Sequence, residues 1–245
     1  MEKQWKPICW KIKFKGKNMK RSEINQILKE AVDFAKKMNF LLPPFAFWNK
    51  NDWASKNDEY DEIKDNMLGW DITDFGSGDY DKIGLLMFTI RNGNFNDPKY
   101  TKSYCEKLLI SKVGQVTPMH YHYKKMEDII NRGGGILAMQ LYNSSPDGEK
   151  LDTDVKVSID GRNFFVKAGE IIRIKPGESV TYYPGIYHQF WAEEAPVLIG
   201  EVSKVNDDRV DNHFYSAPGR FPKIEEDEEP LYLLSMDYSD IKVDW

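Results

Sequence analysis

Cysteines are scarce in this chain, and long apolar runs are absent. Only two of its 245 residues are cysteines, Cys9 and Cys105, which is too few for a disulfide framework and favours a reducing intracellular compartment. No run of about twenty apolar residues is present to span a bilayer, and residues 1–20 lack the apolar core of a secretory signal. We therefore expect a cytoplasmic protein with no membrane partner.

The sequence also lacks an excess of basic residues. Its formal net charge is -5, whereas a nucleic-acid surface normally shows a clustered basic face, so we expect no nucleic-acid partner. With 41% hydrophobic and 30% charged residues, the composition is that of a globular protein. We predict a basic extension over residues 1–18 and a single domain over residues 19–245, with a helical N-terminal arm and a barrel core at about 83–205.

Hydrophobic periodicity predicts one helix near the N-terminus. Ser22 has the residue type of an N-cap, and apolar residues then recur three and four apart until about Asn39. The apolar stripe of this amphipathic helix is expected to pack on the barrel or on a partner subunit. Residues 45–80 are rich in aromatic and acidic side chains, and we interpret them as an irregular packed arm.

A series of short segments with strand character follows, separated by turn dipeptides such as Asp147-Gly148. The predicted strands are residues 83–90, 104–111, 116–123, 136–142, 155–159, 163–166, 171–174, 180–183, 188–191 and 197–203. Many short strands with regular turns predict a mainly β fold, either a β-sandwich or a small jelly-roll barrel. We interpret the acidic run 225–229 as solvated surface and residues 231–236 as a segment that can pair as a strand.

Histidine is scarce as well, and three of the four histidines fall in predicted strands or at their edges. His120 and His122 are two residues apart, so an extended strand points both imidazoles to one face. Glu127 is an odd number of residues further on, so a turn through residues 123–126 is needed, and one hairpin would then supply three ligands. A lone buried histidine is usually structural, but this set together with His188 predicts a metal site.

The donor set bears on which metal is expected. Three imidazoles and one carboxylate would fill a tetrahedral zinc site and leave no room for a substrate. An octahedral ion with two open positions fits an enzyme better, and mixed nitrogen and oxygen ligation suits Mn(II) or Fe(II). We expect Mn(II), with Fe(II), Co(II) and Zn(II) as alternatives, and no organic cofactor.

The residues around the histidine pair match the first motif of the cupin superfamily. The match runs Gly114, five residues, His120-Tyr121-His122, four residues, Glu127, six residues, Gly134. The second cupin motif matches less closely, because Pro184 and Gly185 are adjacent before His188 and the later asparagine is absent.

Longer strings resemble the D-lyxose ketol-isomerase family of bacterial cupins. They are Lys20-Arg21-Ser22-Glu23-Ile24-Asn25, Gly69-Trp70-Asp71-Ile72-Thr73-Asp74-Phe75-Gly76, Glu127-Asp128-Ile129-Ile130-Asn131-Arg132-Gly133-Gly134-Gly135, Trp191-Ala192-Glu193 and Gly200-Glu201-Val202-Ser203. The resemblance covers residues 19–238, which favours a family-like start at Met19. It implies a cupin-type jelly-roll barrel, interconversion of D-lyxose with D-xylulose and of D-mannose with D-fructose, manganese dependence and a homodimer.

Conversion of an aldose to a ketose moves a proton from C2 to C1, here expected to pass through a cis-enediolate. Glu201 follows an apolar run, residues 197–200, where a carboxylate is costly without a role or a partner. On positions that match the family, we assign Glu201 as the base and Lys125 as the acid or an electrostatic helper. The alternatives are that Lys125 is a solvated turn lysine and that Glu201 binds a histidine nitrogen.

Three residues of the polar tail are candidates for binding the distal hydroxyls of the sugar: Asp211, His213 and Arg220. The alternative for each is an ordinary surface loop position. Two other functions stay open for the whole protein, a cupin dioxygenase acting on an enediol and a non-catalytic sugar-binding cupin. A phosphosugar isomerase is disfavoured, because no basic cluster lies near the motif to bind phosphate.

Overall fold

The computed structural model describes residues 18–216 and 223–240, which form a mainly β fold with one long helix. The strands are β1 Met19–Lys20, β2 Gly69–Thr73, β3 Leu85–Arg91, β4 Tyr104–Ser111, β5 Thr117–His122, β6 Glu127–Ser144, β7 Lys150–Leu151, β8 Val155–Ile159, β9 Arg162–Val166, β10 Ile171–Ile174, β11 Ser179–Tyr182, β12 Ile186–Lys204, β13 Asn212–Phe214 and β14 Ile224–Glu225. The helices are α1 Arg21–Lys37, α2 Lys50–Ala54 and α3 Asp61–Asp65, with 3-10 turns at Pro44–Phe47, Asp58–Tyr60 and Ser235–Asp240. The extension predicted for residues 1–18 lies, apart from Asn18, outside the described residues.

Helix α1 packs its apolar stripe on the outer face of the sheet, as its periodicity predicts. Ile24 and Leu28 are fully buried in a cluster with Trp70, Phe88 and Leu108 of β2, β3 and β4. Within residues 18–216 and 223–240, no helix combines the length and the apolar character needed to cross a bilayer.

The predicted cap of α1 is wrong. The helix begins at Arg21, and Lys20 is the residue with extended backbone before it. The Lys20 backbone N–H donates to the Glu23 carboxylate at 3.0 Å, while the Ser22 hydroxyl donates to Asp227 at 2.7 Å. Ser22 therefore lies inside the helix and binds the C-terminal tail instead of capping the N-terminus of the helix.

Two long antiparallel strands, β6 and β12, form the centre of the sheet. They pair along their length, from Ile186 opposite Asn143 to Ser203 opposite Glu127. Along the main path the strand order is β2-β3-β4-β12-β6-β11-β8-β9. The inner face is filled by a large apolar cluster that includes Met139 of β6 and Ile199 of β12.

Residues 188–191 and 197–203, predicted as two strands, belong to the single strand β12. Its register with β6 shifts between Glu193 and Val197, and bulges of this kind bend a strand without ending it. On the partner strand, Gly134 has a φ of 102°, and a β-carbon there would collide with the carbonyl oxygen of Pro196. One half of β12 pairs with β5 and the other half with β4.

The segment predicted as an irregular arm, residues 45–80, contains a strand as well as short helices. β2 pairs antiparallel with β3, and all five of its residues are buried. Because both faces are covered, the strand shows no alternation of apolar and polar residues, which is the signal a half-buried strand gives. The Trp70 indole N–H donates to the Ala46 carbonyl at 2.8 Å and ties the strand to the preceding 3-10 turn.

The acidic run 225–229 is exposed, as predicted, and some of its carboxylates also bind the start of α1. Arg21, only 2% exposed, donates to Glu226 at 2.7 Å and to Asp237 at 3.0 Å. The Asn25 amide donates to Glu228 at 2.6 Å. The tail therefore folds back on the start of α1, where acidic residues suit the positive end of the helix dipole.

Residues 231–236 do not form a strand of the sheet. Leu234 makes one isolated parallel bridge with Trp70. A 3-10 turn begins at Ser235, while Leu233 and Leu234 are buried. The apolar character of this segment therefore reflects packing instead of strand pairing.

Candidate active site

Strands β5 and β12 bring three histidines together. His120 and His122 alternate with Met119 and Tyr121 on β5, and His188 on β12 is the direct partner of His120 in the antiparallel register. One ring nitrogen of each histidine lies within 4.8 Å of those of the other two, and all three side chains are buried. The arrangement can hold a metal ion.

Backbone carbonyls set the tautomers of two of these rings. His120 Nδ1 lies 2.7 Å from the Pro118 carbonyl oxygen, and His188 Nδ1 lies 3.0 Å from that of Ile186. A carbonyl oxygen only accepts, so each Nδ1 must carry the proton. Each Nε2 is left with a lone pair, which is the form in which histidine binds metals.

The first residue of β6, Glu127, supplies a carboxylate to the same point. Its Oε1 lies 3.2 Å from His122 Nε2 and 3.4 Å from His188 Nε2. For His188 this places two acceptors face to face in a buried site, which is unfavourable unless a cation lies between them. His122 Nδ1 is also buried and has no hydrogen-bond partner among the described residues. The donor set therefore fits a divalent cation.

Glu127 follows a turn over residues 123–126, as its spacing predicts, but the hairpin prediction is wrong. In the described part of the chain, β5 pairs with β12 and β13 and not with β6. The turn thus connects two strands that are not paired with each other. Non-local pairing, which spacing cannot reveal, decided this.

Burial and neighbouring charge hold the candidate ligands in their metal-binding forms. Burial lowers the pKa of His188 to about 4, and burial together with the neighbouring imidazoles lowers the pKa of His120 well below its ordinary value. Burial alone would raise the pKa of Glu127, but Lys125 and His122 lower it well below its usual range. Two neutral imidazoles and an ionised carboxylate are present at neutral pH.

Lys125 lies inside the protein between two carboxylates and is not a solvated turn lysine. Its Nζ is 2.6 Å from Glu127 Oε2 and 2.8 Å from Glu201 Oε1, and the residue is 3% exposed. Burial lowers its pKa, but Glu127 and Glu201 raise it further, so the net pKa is well above the ordinary value. The side chain is therefore a permanent cation.

Glu201 projects from the inner face of β12, the face that also carries Ile199. Its Oε1 contacts Lys125, Lys107 at 3.4 Å and the Ser203 hydroxyl at 3.3 Å. Its described partners are therefore lysines and a serine, not a histidine nitrogen.

One cavity joins the histidines, Glu127, Lys125 and Glu201. Other residues that line it are Lys107, Asp208, Asn212, Thr73, Phe75 and Phe214. Sequence reasoning missed this second set. Lys107 could have been identified from the sequence, because burying a lysine inside the apolar run of β4 costs as much free energy as burying Glu201 in β12.

The structure does not bring Asp211 and His213 to the wall of this cavity. Asp211 accepts from the backbone N–H groups of Lys124 and Lys125 at 2.8 and 2.9 Å, so it holds the turn that carries Lys125. His213 stacks on Tyr121 with ring centroids 4.8 Å apart, on the other face of β13 from Asn212 and Phe214. Arg220 lies outside the described residues.

Comparison with known proteins gives consistent results. Residues 19–238 match the family model described as D-lyxose isomerase. A protein of Serratia proteamaculans named D-lyxose/D-mannose isomerase is 44% identical over 223 residues, which is 90% of this chain and 98% of that protein. The protein of the same name from Escherichia coli O157:H7 gives the same identity and coverage.

Among solved structures, L-ribose isomerase of Acinetobacter sp. DL28 in complex with L-ribose is similar with a TM-score of 0.58. The identity is 16%, and the alignment covers 86% of this chain and 99% of that chain. At this identity the likeness concerns the fold. Together with the strand topology, it confirms the expected mainly β, cupin-type architecture.

Proposed function

The chain belongs to the D-lyxose isomerase family, and from this premise we propose that it interconverts free D-lyxose and D-xylulose, and also D-mannose and D-fructose. Family membership makes it an aldose–ketose isomerase. The choice of sugars rests on the names of its relatives. The chemistry is supported by the buried contact of Lys125 with both Glu127 and Glu201 in one histidine-lined cavity.

His120, His122, Glu127 and His188 are the proposed metal ligands, and Mn(II) is the proposed ion. When bound, a divalent ion supplies a Lewis acid that polarises the carbonyl oxygen and a template for the neighbouring hydroxyl. The donor set supports this role, since the imidazoles of His120 and His188 are uncharged and the carboxylate is ionised.

Glu201 is the proposed base. Its carboxylate takes the proton from C2 of the open-chain aldose and returns it to C1, through a cis-enediolate, while the hydroxyl proton on O2 passes to O1. Lys125 holds Glu201 by a hydrogen bond of 2.8 Å. Because Lys125 Nζ lies 2.6 Å from Glu127 and 2.8 Å from Glu201, its protons are held by the two carboxylates, and it acts by stabilising negative charge on the sugar oxygens. Of its two proposed roles, the electrostatic one is favoured.

Metal removal followed by a substrate screen tests the proposal. The protein is treated with a chelator, supplied with Mn(II), Fe(II), Co(II) or Zn(II), and assayed on free pentoses and hexoses for ketose formation. We expect activity on D-lyxose and D-mannose with Mn(II), and a fall of about 100- to 10,000-fold in Glu201→Gln. The exposed Glu149→Gln variant is the matched control and should retain activity.

Other outcomes would overturn the proposal. Dioxygen consumption without ketose formation would indicate a dioxygenase. Sugar and metal binding without turnover would indicate a binding protein. Complete retention of a C2 deuteron, with no wash-in from solvent, would contradict the enediolate and favour a hydride shift.

The domain and the assembly belong to the same proposal. We infer that residues 19–245 act as one domain, which the match over residues 19–238 supports, and that the protein is a homodimer. Light scattering on the purified protein tests the dimer.

A further inference from the structure

Lys107, which is buried, and Asp208, which is half-buried, form an ion pair that the proton transfer between C2 and C1 does not use. Lys107 Nζ lies 3.5 Å from Asp208 Oδ2 and 3.4 Å from Glu201 Oε1, and both partners line the cavity. These residues belong to a series of side chains whose charges alternate in sign, in the order Glu127, Lys125, Glu201, Lys107, Asp208. The series thus holds two lysine–carboxylate pairs, and the Glu127 end contacts His122 and His188 directly.

The fold buries Lys107 and keeps it charged. It lies within β4, opposite Thr89 of β3 and Glu201 of β12, and is 3% exposed. Burial lowers its pKa, but Asp208 and Glu201 raise it further, so it is an ammonium at neutral pH. A buried cation at the centre of a sheet is costly to keep, which favours a chemical role.

The contacts of Lys107 are long. Charge-assisted hydrogen bonds between an ammonium and a carboxylate typically measure about 2.7–2.9 Å, and the pair of Lys125 with Glu201 fits that range at 2.8 Å. Lys107 is 3.4–3.5 Å from its two partners. Its protons are therefore less fully engaged, and a sugar oxygen can compete for them.

Asp208 stands where the catalytic cavity meets a second cavity. Both cavities are lined by Asp208 and Met87. The second cavity is also lined by Asn66, Asn94 and Phe95, and Phe95 is 70% exposed, so this cavity opens to solvent. Amide groups and an aromatic ring suit a polyhydroxyl molecule. Asp208 is therefore in reach of a sugar in either cavity.

One chemical step of the proposed reaction has no assigned residue. Free pentoses and hexoses are mainly cyclic hemiacetals, while isomerisation needs a free carbonyl at C1. Ring opening requires a base at the C1 hydroxyl and an acid at the ring oxygen. Both oxygens are bonded to C1, so the two groups must lie side by side, as a carboxylate and an ammonium in loose contact do.

We propose that Lys107 and Asp208 open the sugar ring, so that the protein also catalyses the exchange of aldose anomers. This inference rests on the proposed function, which supplies the aldose. The Asp208 carboxylate takes the proton of the C1 hydroxyl, and the electrons of that O–H bond form the C1 carbonyl. The bond from C1 to the ring oxygen breaks, its electrons stay on the ring oxygen, and that oxygen takes a proton from Lys107.

After opening, Asp208 is protonated and Lys107 is a neutral amine, and transfer of the proton from one to the other restores both. No oxidant or reductant is needed. Glu201 contacts both lysines, so the opened sugar passes from one pair to the other within one cavity. Ring closure of the ketose follows the same steps in reverse.

The test uses Glu201→Gln, which stops isomerisation and leaves ring opening to be observed alone. Exchange between the α and β anomers of C1-labelled D-lyxose is followed by 13C magnetisation transfer, with Mn(II) present and with a protein-free control. We expect Glu201→Gln to accelerate exchange, and the added substitution Asp208→Asn to lower that acceleration about 100-fold or more. The exposed Asp147→Asn is the matched control.

Lys107→Arg separates a chemical role from a positional one. Arginine keeps the positive charge beside Glu201 and Asp208 but does not release a proton at neutral pH. In the Glu201→Gln background it should lose the acceleration, while its circular dichroism and bound metal stay unchanged. The exposed strand residue Lys156→Arg is the control.

Two results would overturn the inference: no acceleration by Glu201→Gln above the protein-free rate, or full acceleration in Asp208→Asn or Lys107→Arg. The pair would then only position Glu201. Either result with normal ketose formation by the unaltered protein leaves the proposed function intact. Anomer exchange without ketose formation from any free aldose would instead contradict the proposed function and leave the ring-opening inference standing.

Discussion

Glu201 Oε1 lies 2.8 Å from Lys125 Nζ, although 76 residues separate the two in sequence. The same oxygen is 3.4 Å from Lys107 Nζ. One carboxylate thus joins two buried lysines, one beside the proposed metal ligands and the other paired with Asp208. The stability and the chemistry of the site are consequently coupled, and each can be tested separately.

Removal of the Lys125 charge should destabilise the protein. Lys125→Met leaves Glu127 without its buried cation, so we expect the free energy of unfolding to fall by about 3 kcal/mol and ketose formation to be lost. Urea unfolding measures the first effect. The exposed neighbour Lys124→Met is the control and should change stability by less than about 0.5 kcal/mol. Equal stability of the two variants would contradict the buried pairing.

Glu127→Gln should weaken Mn(II) binding strongly, because it removes the one negative ligand. We expect the loss in affinity to exceed the about 10- to 100-fold typical of residues that only orient a ligand. Calorimetric titration of the metal-free protein measures it without reference to activity. Glu149→Gln is the matched control, and a Glu127→Gln variant that binds Mn(II) as well as this control would exclude Glu127 as a ligand.

The metal-free protein should lose stability as the pH falls from 7 to 4.5. The pKa of His188 is about 4 in the folded protein, against 6.5 ordinarily. Between these values the unfolded chain binds more protons than the folded chain, so stability rises with pH in this window. We expect a loss of at least about 2 kcal/mol by urea unfolding at the two pH values. His188→Gln should reduce the loss, and a flat profile in the unaltered protein would disprove a buried neutral His188.

Arg21 should stabilise the fold more than an exposed arginine with similar contacts. It makes paired hydrogen bonds to Glu226 and to Asp237 while 2% exposed. We expect Arg21→Met to lower the free energy of unfolding by about 2 kcal/mol. The paired contact of Arg173 with Glu193 lies at the surface, so Arg173→Met should cost less than about 1 kcal/mol. Similar losses in both variants would argue against the tail contact as a stabilising feature.

Local patterns in the sequence determined much of the fold and part of the site. Strands β4, β8 and β10 have the predicted bounds, since strand character and turn dipeptides are local signals. His120 and His122 point to the same face because side chains two residues apart share one face of an extended chain. The turn before Glu127 follows from the odd number of residues between His122 and Glu127. These features need no knowledge of what lies opposite in the sheet.

Only the tertiary structure decided which distant residues meet. The register of β12 places His188 opposite His120 and Glu201 opposite Lys107, and pairing of β5 with β13 turns Phe214 inward and His213 away. Strand β2 escaped prediction because burial on both faces removes the alternation of apolar and polar residues. Register and burial are set by contacts between segments far apart in the chain, and the sequence carries no local signal of them.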